Sequence, residues 1–300
     1  MESPVSLKSR FVTLLIRAIG YKRQFADPDW IRDFARERMI RPPSYGPPKK
    51  LEKRVNLSVS HTTGWPIYEV APKNKAAGRH AIYLHGGGWV KEIRGTHWNR
   101  IAEFVERSGV TFHVPIYPLA PTGTAGPVTD HVADYLESLA KAHSADELIL
   151  MGDSAGGQIA ASTAIELNRR GLAPLRNMIL ISPAMDLTLS NPEIGVTEKD
   201  DPWLAVPGIA EAVEMWRGDL PAEDDRVSPI YGALEGLGPI TIFSGTRDIT
   251  NPDTRRFVEK ARAAGVPVTY HEAEGLIHVY PLLPTPEGQD ARDLIVQALN

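Results

Sequence analysis

The sequence predicts an α/β fold: an eight-stranded, mostly parallel sheet with helices on both faces and a helical cap. Three observations carry that expectation. Short apolar and β-branched runs recur along the 300 residues, helical patterns separate most of them, and one long interval without a strand interrupts the alternation. The chain is 42% hydrophobic, enough for a sizeable core, and its 23% of charged residues is an ordinary share that argues against disorder.

The opening residues read as helix, with Val5, Leu7, Phe11, Leu14, Leu15 and Ile19 roughly on one face. A second helical stretch over 30–39 stops at Pro42-Pro43, and Pro47-Pro48 marks a linker. Residues 55–61 and 66–71 alternate across the Thr62-Thr63-Gly64 turn as a hairpin would. The runs 80–84, 110–117, 148–151, 178–182, 240–244 and 268–272 are mostly continuous, which suits strands buried on both faces. Between them, 98–107, 128–142, 155–170 and 254–264 read as helices, and 291–299 closes the chain. From 185 to 237 no strand is evident and a helix is expected over 206–216. That interval is too long for a connection, so it reads as a helical insertion that joins the N-terminal helices to roof the site. Ligands of such sheets sit outside the carboxyl ends of the strands, which is where chemistry is to be sought.

Net charge is −4, which gives no reason to expect nucleic acid as a partner. Residues 1–60 hold 13 Lys and Arg against 6 Asp and Glu, so they carry +7 and the remaining 240 residues carry −11. This basic arm reads either as a solvated face or as a contact for anionic lipid or acidic substrate. The absence of cysteine excludes disulfides, a thiol nucleophile and thiolate-bound metal, and suits a reducing compartment. Residues 11–19 are apolar but short, contain Arg17 and lack an A-x-A site, so they make a poor signal peptide and cannot span a bilayer. A cytoplasmic protein without stable membrane insertion is expected, and a homodimer is left open.

The strongest local signal is Gly152-Asp153-Ser154-Ala155-Gly156, between the strand 148–151 and the helix 155–170. A serine on a sharp strand-to-helix turn needs small neighbours, and the helix N-terminus behind it favours negative charge. The second signal is His85-Gly86-Gly87-Gly88-Trp89 after the strand 80–84. Acyl transfer builds charge on the former carbonyl oxygen, and glycines let backbone N–H groups approach it. Gly86 and Gly87, with Ala155, are expected to form the oxyanion hole. No Gly-Lys-Ser/Thr follows, so a phosphate cradle is disfavoured.

A serine hydroxyl needs a base, and in this arrangement the acid and then the histidine follow it in the chain. His271 and His278 come late enough; His271 falls inside the last strand, so His278 is preferred. His85 is expected to brace the glycine loop. For the acid, Asp248 follows the strand 240–244, whereas its rival Asp253 looks like a first-turn helix residue. Trp89 and Trp203 either line a substrate pocket or pack the cap against the sheet.

Together these motifs resemble the hormone-sensitive-lipase family, bacterial-type family IV esterases of the α/β-hydrolase superfamily, over roughly residues 55–299. Tyr117-Pro118-Leu119-Ala120-Pro121, Ser228-Pro229 and the surroundings of Asp248 and His278 are similar to further stretches of that family, with Ile249 and Asp253 in matching positions. The continuation Thr122-Gly123-Thr124-Ala125 departs from the family pattern, which weakens inference about substrate but leaves the three reactive residues untouched. The resemblance implies an α/β-hydrolase fold with an N-terminal helical cap segment at 1–50 and a catalytic domain at 51–300 holding a cap insertion at about 186–226. It also implies carboxylic esters with short to medium acyl chains as small-molecule substrates, and no metal or organic cofactor.

The same machinery serves lactones and formamides. Kynurenine formamidases resemble the chain in their His-Gly-Gly loop, although the third glycine and Gly156-Gly157 bring the esterases nearer. A small-molecule receptor on this fold, such as the plant gibberellin receptor, would have lost one of the three reactive residues, and all three positions are filled here. A lipid-surface lipase using the basic N-terminus is a further alternative.

Overall fold

The computed structural model describes residues 5–74 and 76–300, so the first four residues of the expected N-terminal segment lie outside it. Three helices open the chain: α1 (Leu7–Ile19), α2 (Tyr21–Phe25) and α3 (Pro28–Ile40). The hairpin β1 (Asn56–Ser60) and β2 (Ile67–Ala71) leads to β3 (His80–Leu84), α4 (Gly95–Ser108), β4 (Thr111–Pro115), α5 (Ala125–Ala140), β5 (Leu148–Asp153) and α6 (Ala155–Arg169). After β6 (Asn177–Ile181) come α7 (Pro192–Thr197) and α8 (Val206–Arg217), then β7 (Ile240–Arg247), α9 (Asn251–Ala263), β8 (Val268–Ile277) and α10 (Pro286–Leu299).

The strands form one sheet in the order β1-β2-β4-β3-β5-β6-β7-β8. β2 runs antiparallel to β1 and β4, and every pair from β4 to β8 is parallel. This is the α/β-hydrolase architecture. The pleat sends alternate residues to opposite layers. Ile82, Leu84, Leu150, Leu180 and Ile242 pack with α5, α6 and α9, while Tyr83, Met151, Ile179, Ile181 and Phe243 pack with α4 and α10. Both faces of the central strands are thereby dry, which is why their sequences are continuous rather than alternating.

Two strands outrun the sequence expectation. β7 and β8 stay paired beyond Ser244 and Glu272, across an irregularity between Gly245 and Arg247, until Arg247 meets Ile277. A Cβ at Gly245 would lie 2.4 Å from the Leu276 carbonyl, so the close passage requires glycine. Gly275, Leu276 and Ile277 are therefore strand rather than loop, and His278 leaves directly from a strand end. The helix α7 and the first turns of α4, α9 and α10 also lie outside the expected ranges.

In the stretch between β6 and β7, α8 lies on α2 and α3. A Cβ at Gly208 would sit 2.3 Å from the Phe25 carbonyl, and Arg32 meets Glu211 at 2.8 Å. Lys91, just past the glycine loop, buries its ammonium among Phe25, Trp30, Tyr21 and Phe34, 4.5 to 5.6 Å from the ring centres. Burial, then the charges of Arg94 and Arg38, lower its pKa to about 8.

The apolar face of α1 points away from the protein. Leu7, Phe11, Leu14, Leu15 and Ile19 are exposed, while Ser9, Thr13 and Ile16 face inward. The cause is a carboxylate at the start of α10: Glu287 accepts hydrogen bonds from Ser6 N–H (2.6 Å), Ser6 Oγ (2.9 Å) and Ser9 Oγ (2.6 Å). Among the described residues, no helix is long and apolar enough to cross a membrane.

Candidate active site

β5 ends at Asp153 and α6 begins at Ala155, so Ser154 alone turns the chain from strand to helix. It holds φ 53° and ψ −120°, a conformation that costs a non-glycine residue roughly 1–3 kcal/mol. The turn closes only because its neighbours lack side chains. A Cβ on Gly152 would meet the Gly156 carbonyl at 2.3 Å, and one on Gly156 would meet the Leu84 carbonyl at 2.0 Å.

The end of β8 brings His278 to this serine. His278 Nε2 lies 2.9 Å from Ser154 Oγ, and Nδ1 lies 2.8 Å from Asp248 Oδ2. Asp248 follows β7 directly and is fully buried. Val279, at φ 47°, anchors the turn by donating its N–H to Ser182 Oγ at 2.9 Å. Burial pulls the His278 pKa down, but the Asp248 charge and hydrogen bond, with the charges of Asp201 and Asp153, outweigh it and raise the group above 6.5.

The two rivals are occupied elsewhere. Asp253 Oδ1 accepts from Asn191 (2.8 Å) and Arg256 (2.9 Å), and His271 stacks on Phe243 at 4.7 Å. His85 is fully buried, with Nδ1 2.9 Å from its neighbour's carbonyl at Gly86 and its ring stacked on Tyr117. Burial, then the His97 charge, lower its pKa to about 4, so it braces the loop as a neutral ring.

One expected donor has a different task. Gly86 N–H donates to Asp153 Oδ1 at 3.0 Å, and that carboxylate also accepts from Tyr83 OH at 2.6 Å. Burial works against the Asp153 charge, but His97, Tyr83 and Gly86 more than offset it and hold the pKa below the ordinary carboxylate range. The Gly86 N–H, expected as an oxyanion donor, is thus engaged with Asp153 and ties down the loop. The N–H groups of Gly87 and Gly88 have no acceptor among the described residues. Ala155 opens α6, where the first N–H groups lack intrahelical partners.

A cleft opens beside Ser154, between Gly88, Trp89, Met185, Leu187, Leu204, Ile209 and Ile249. Trp89 lines it and also ties layers together: its Nε1 and that of Trp216 both donate to Gln158 Oε1 at 3.0 Å. Trp203 stands beside the base instead, with its ring edge-on to His278 at 6.0 Å and stacked on Tyr21 at 5.6 Å.

Asp201 lay beyond sequence reasoning. It is buried, and its oxygens accept from Trp203 N–H (2.7 Å), Leu204 N–H (2.9 Å) and Ile249 N–H (3.0 Å). Lys22 donates to its carbonyl at 2.8 Å, and Arg247 donates to the Asp200 carbonyl at 3.1 Å. One turn therefore links α2, the wall beside His278 and the segment that carries Asp248. Chemically, a hydroxyl is paired with a base, the base with a buried acid, and unpaired amide donors lie close by. No signal in the sequence marks Asp201, whereas Asp153 could have been suspected from its place inside the glycine motif.

A protein-family profile described as alpha/beta hydrolase fold matches residues 81–282. Over 245 residues the chain is 30% identical to a triacylglycerol lipase of Mycobacterium tuberculosis, covering 81% of this chain and 51% of the lipase. It therefore spans about half the length of that relative. An esterase of Acinetobacter venetianus is 28% identical over 215 residues, 70% of this chain and 71% of the esterase. In fold, the chain resembles a solved hormone-sensitive lipase from a metagenome library, with a TM-score of 0.83 and 23% identity across 99% of this chain and 98% of the other. The HSL homologue EstE7, also from a metagenome library, gives 0.82 and 23% across 97% of each.

Proposed function

The chain belongs to the α/β-hydrolase fold family, in keeping with its hormone-sensitive-lipase resemblance, and from that premise we propose that it is a serine carboxylesterase acting through an acyl-enzyme. The observation that carries the reading is the continuous relay from Ser154 Oγ through His278 to Asp248, beside amide donors left without acceptors. The M. tuberculosis lipase and the A. venetianus esterase are named for ester hydrolysis, which agrees with it.

In the first half-reaction His278 Nε2 takes the Ser154 proton as Oγ attacks the ester carbonyl. Asp248 accepts the Nδ1 proton in a hydrogen bond and stabilises the imidazolium without being protonated itself. Negative charge forms on the carbonyl oxygen, where Gly87, Gly88 and Ala155 supply N–H donors; one such donor is worth about 2.7–4 kcal/mol. His278 then hands its proton to the leaving alkoxide, and the alcohol departs. In the second half, His278 deprotonates water, which attacks the acyl-enzyme and frees the acid and Ser154.

The apolar lining by Leu187, Leu204, Ile209 and Ile249 favours a hydrocarbon chain, and short to medium acyl groups are the expected substrates. The helices before β1 and those between β6 and β7 serve as the cap, and no cofactor takes part. The test is Ser154→Ala with p-nitrophenyl esters of graded chain length. A loss on the order of a millionfold is expected if the three residues act as a unit, together with loss of organophosphate labelling. Near-normal hydrolysis by the variant would overturn the mechanism.

A further inference from the structure

We propose that α1 is an interfacial helix that docks the protein on an anionic lipid surface, lying flat with its outer face among the acyl chains. The observation is an inversion of the usual amphipathic arrangement. The inward face of α1 is Ser9, Thr13 and Ile16, with Ser9 held on Glu287, while Leu7, Phe11, Leu14, Leu15 and Ile19 are 81, 60, 60, 45 and 59% exposed. The Glu287 contacts lock the rotation of the helix, so this outward presentation is built in.

The charges identify the surface. At 100° per residue, Arg10 and Arg17 fall together on one flank of the apolar stripe, and Lys8 falls within it near the far edge, between Leu15 and Ile19. All three are exposed, and α1 contains no Asp or Glu. An apolar stripe with bases along one edge, and one lysine near the other whose stem can lie along the leucines, suits acyl chains beneath anionic headgroups. A second copy of the chain would suit it less, because two such helices would bring bases against bases with no acid between them. At 13 residues the helix is roughly 20 Å long, which fits an in-plane position and not a span.

The position ties this face to the catalytic end. Gly20 separates α1 from Tyr21, whose ring stacks on Trp203 beside His278. Val5, just before α1, presses on Gly275 near the end of β8, where an added Cβ would lie 2.8 Å from Val5 Cγ2. Docking through α1 would hold the site next to a lipid pool. The proposal concerns binding and stands whatever ester the site cleaves.

The experiment is co-sedimentation of the full chain with phosphatidylcholine vesicles, with and without phosphatidylglycerol, alongside analytical ultracentrifugation of the lipid-free protein. The protein should pellet with the anionic vesicles, not the neutral ones, and be released by salt. The double variant Phe11→Ser/Leu14→Ser should lose pelleting, and Lys8→Gln/Arg10→Gln/Arg17→Gln should weaken it by about a hundredfold. Both should keep the native unfolding temperature, because the altered side chains are exposed. No pelleting at low salt, equal pelleting of the serine variant, or lipid-independent dimerisation abolished by that variant would each overturn the proposal.

Discussion

Replacing Asp201 with asparagine removes one hydrogen-bond acceptor and one charge at nearly constant size, and the two losses leave different signatures. Oδ1 accepts from Trp203 and Leu204, and Oδ2 accepts from Ile249. If asparagine keeps its oxygen on the Trp203–Leu204 turn, its amide confronts the Ile249 N–H, donor against donor. A buried donor without an acceptor costs about 1–3 kcal/mol, equivalent to roughly 5- to 150-fold if expressed wholly in the barrier. Ile249 directly follows Asp248, so the strain falls on the acid that orients His278. We expect kcat to fall by roughly ten- to a hundredfold with a smaller change in KM, since Asp201 does not line the cavity.

The charge acts on pH dependence. Burial and then the Asp248 charge lift Asp201 to about 6, and the Asp201 charge is among those that raise His278. In the proposed mechanism the base must be neutral to accept the serine proton, so activity is expected to fall as pH drops through the His278 pKa. Asp201 helps to raise that pKa; without its charge, the acid limb of kcat/KM moves to lower pH. A pH profile on a soluble p-nitrophenyl ester measures both effects, with thermal unfolding as a control for folding. Wild-type kcat with an unmoved limb would refute the reasoning, and a limb moved upward would refute its electrostatic half.

Two further substitutions test the supports of the site. A Cβ at Gly86 would stand 2.3 Å from Asp153 Oδ2 and 2.8 Å from the Asp153 carbonyl, so Gly86→Ala should displace the glycine loop. It should cost about a hundredfold or more in kcat; steady-state kinetics giving an unchanged kcat would mean the loop is not held this way. Gln158→Leu leaves the indole N–H groups of Trp89 and Trp216 buried without their shared acceptor. At about 1–3 kcal/mol for each unsatisfied donor, the unfolding temperature should drop by at least ~4 °C in calorimetry, and an unchanged temperature would remove Gln158 from its place as the tie between these layers.

How far the sequence carries depends on the range of the interaction that fixes each residue. The serine turn is legible because its constraints are local. Gly152 and Gly156 lie within two residues of Ser154, and the strand before and helix after it have their own periodicities. His278 and Asp248 are legible through order along the chain, since only two histidines come late enough and one of those lies mid-strand. The strand ends of β7 and β8 are less so. Their last residues pair with each other rather than with a second neighbour, and β8, at the sheet edge, is half-buried or exposed until Leu276 rather than buried on both faces as its run over 268–272 suggested, so no apolar run marks its end.

What the sequence conceals is the choice between partners far apart in the chain. Three adjacent glycines offer equivalent N–H groups, and the role of Gly86 follows only from Asp153, 67 residues away. Asp201 sits among Asp200, Pro202 and Trp203 in an unremarked polar turn, yet a bond across 48 residues to Ile249 ties it to the acid. The same holds for α1. Its stripe of leucines reads as a core-seeking face until Glu287, 278 residues beyond Ser9, is seen to hold the polar side inward. Periodicity reports that a helix has two unlike faces; it does not report which one the fold retains. A single carboxylate in the first turn of α10 makes that choice, and it leaves Leu7, Phe11, Leu14, Leu15 and Ile19 outside.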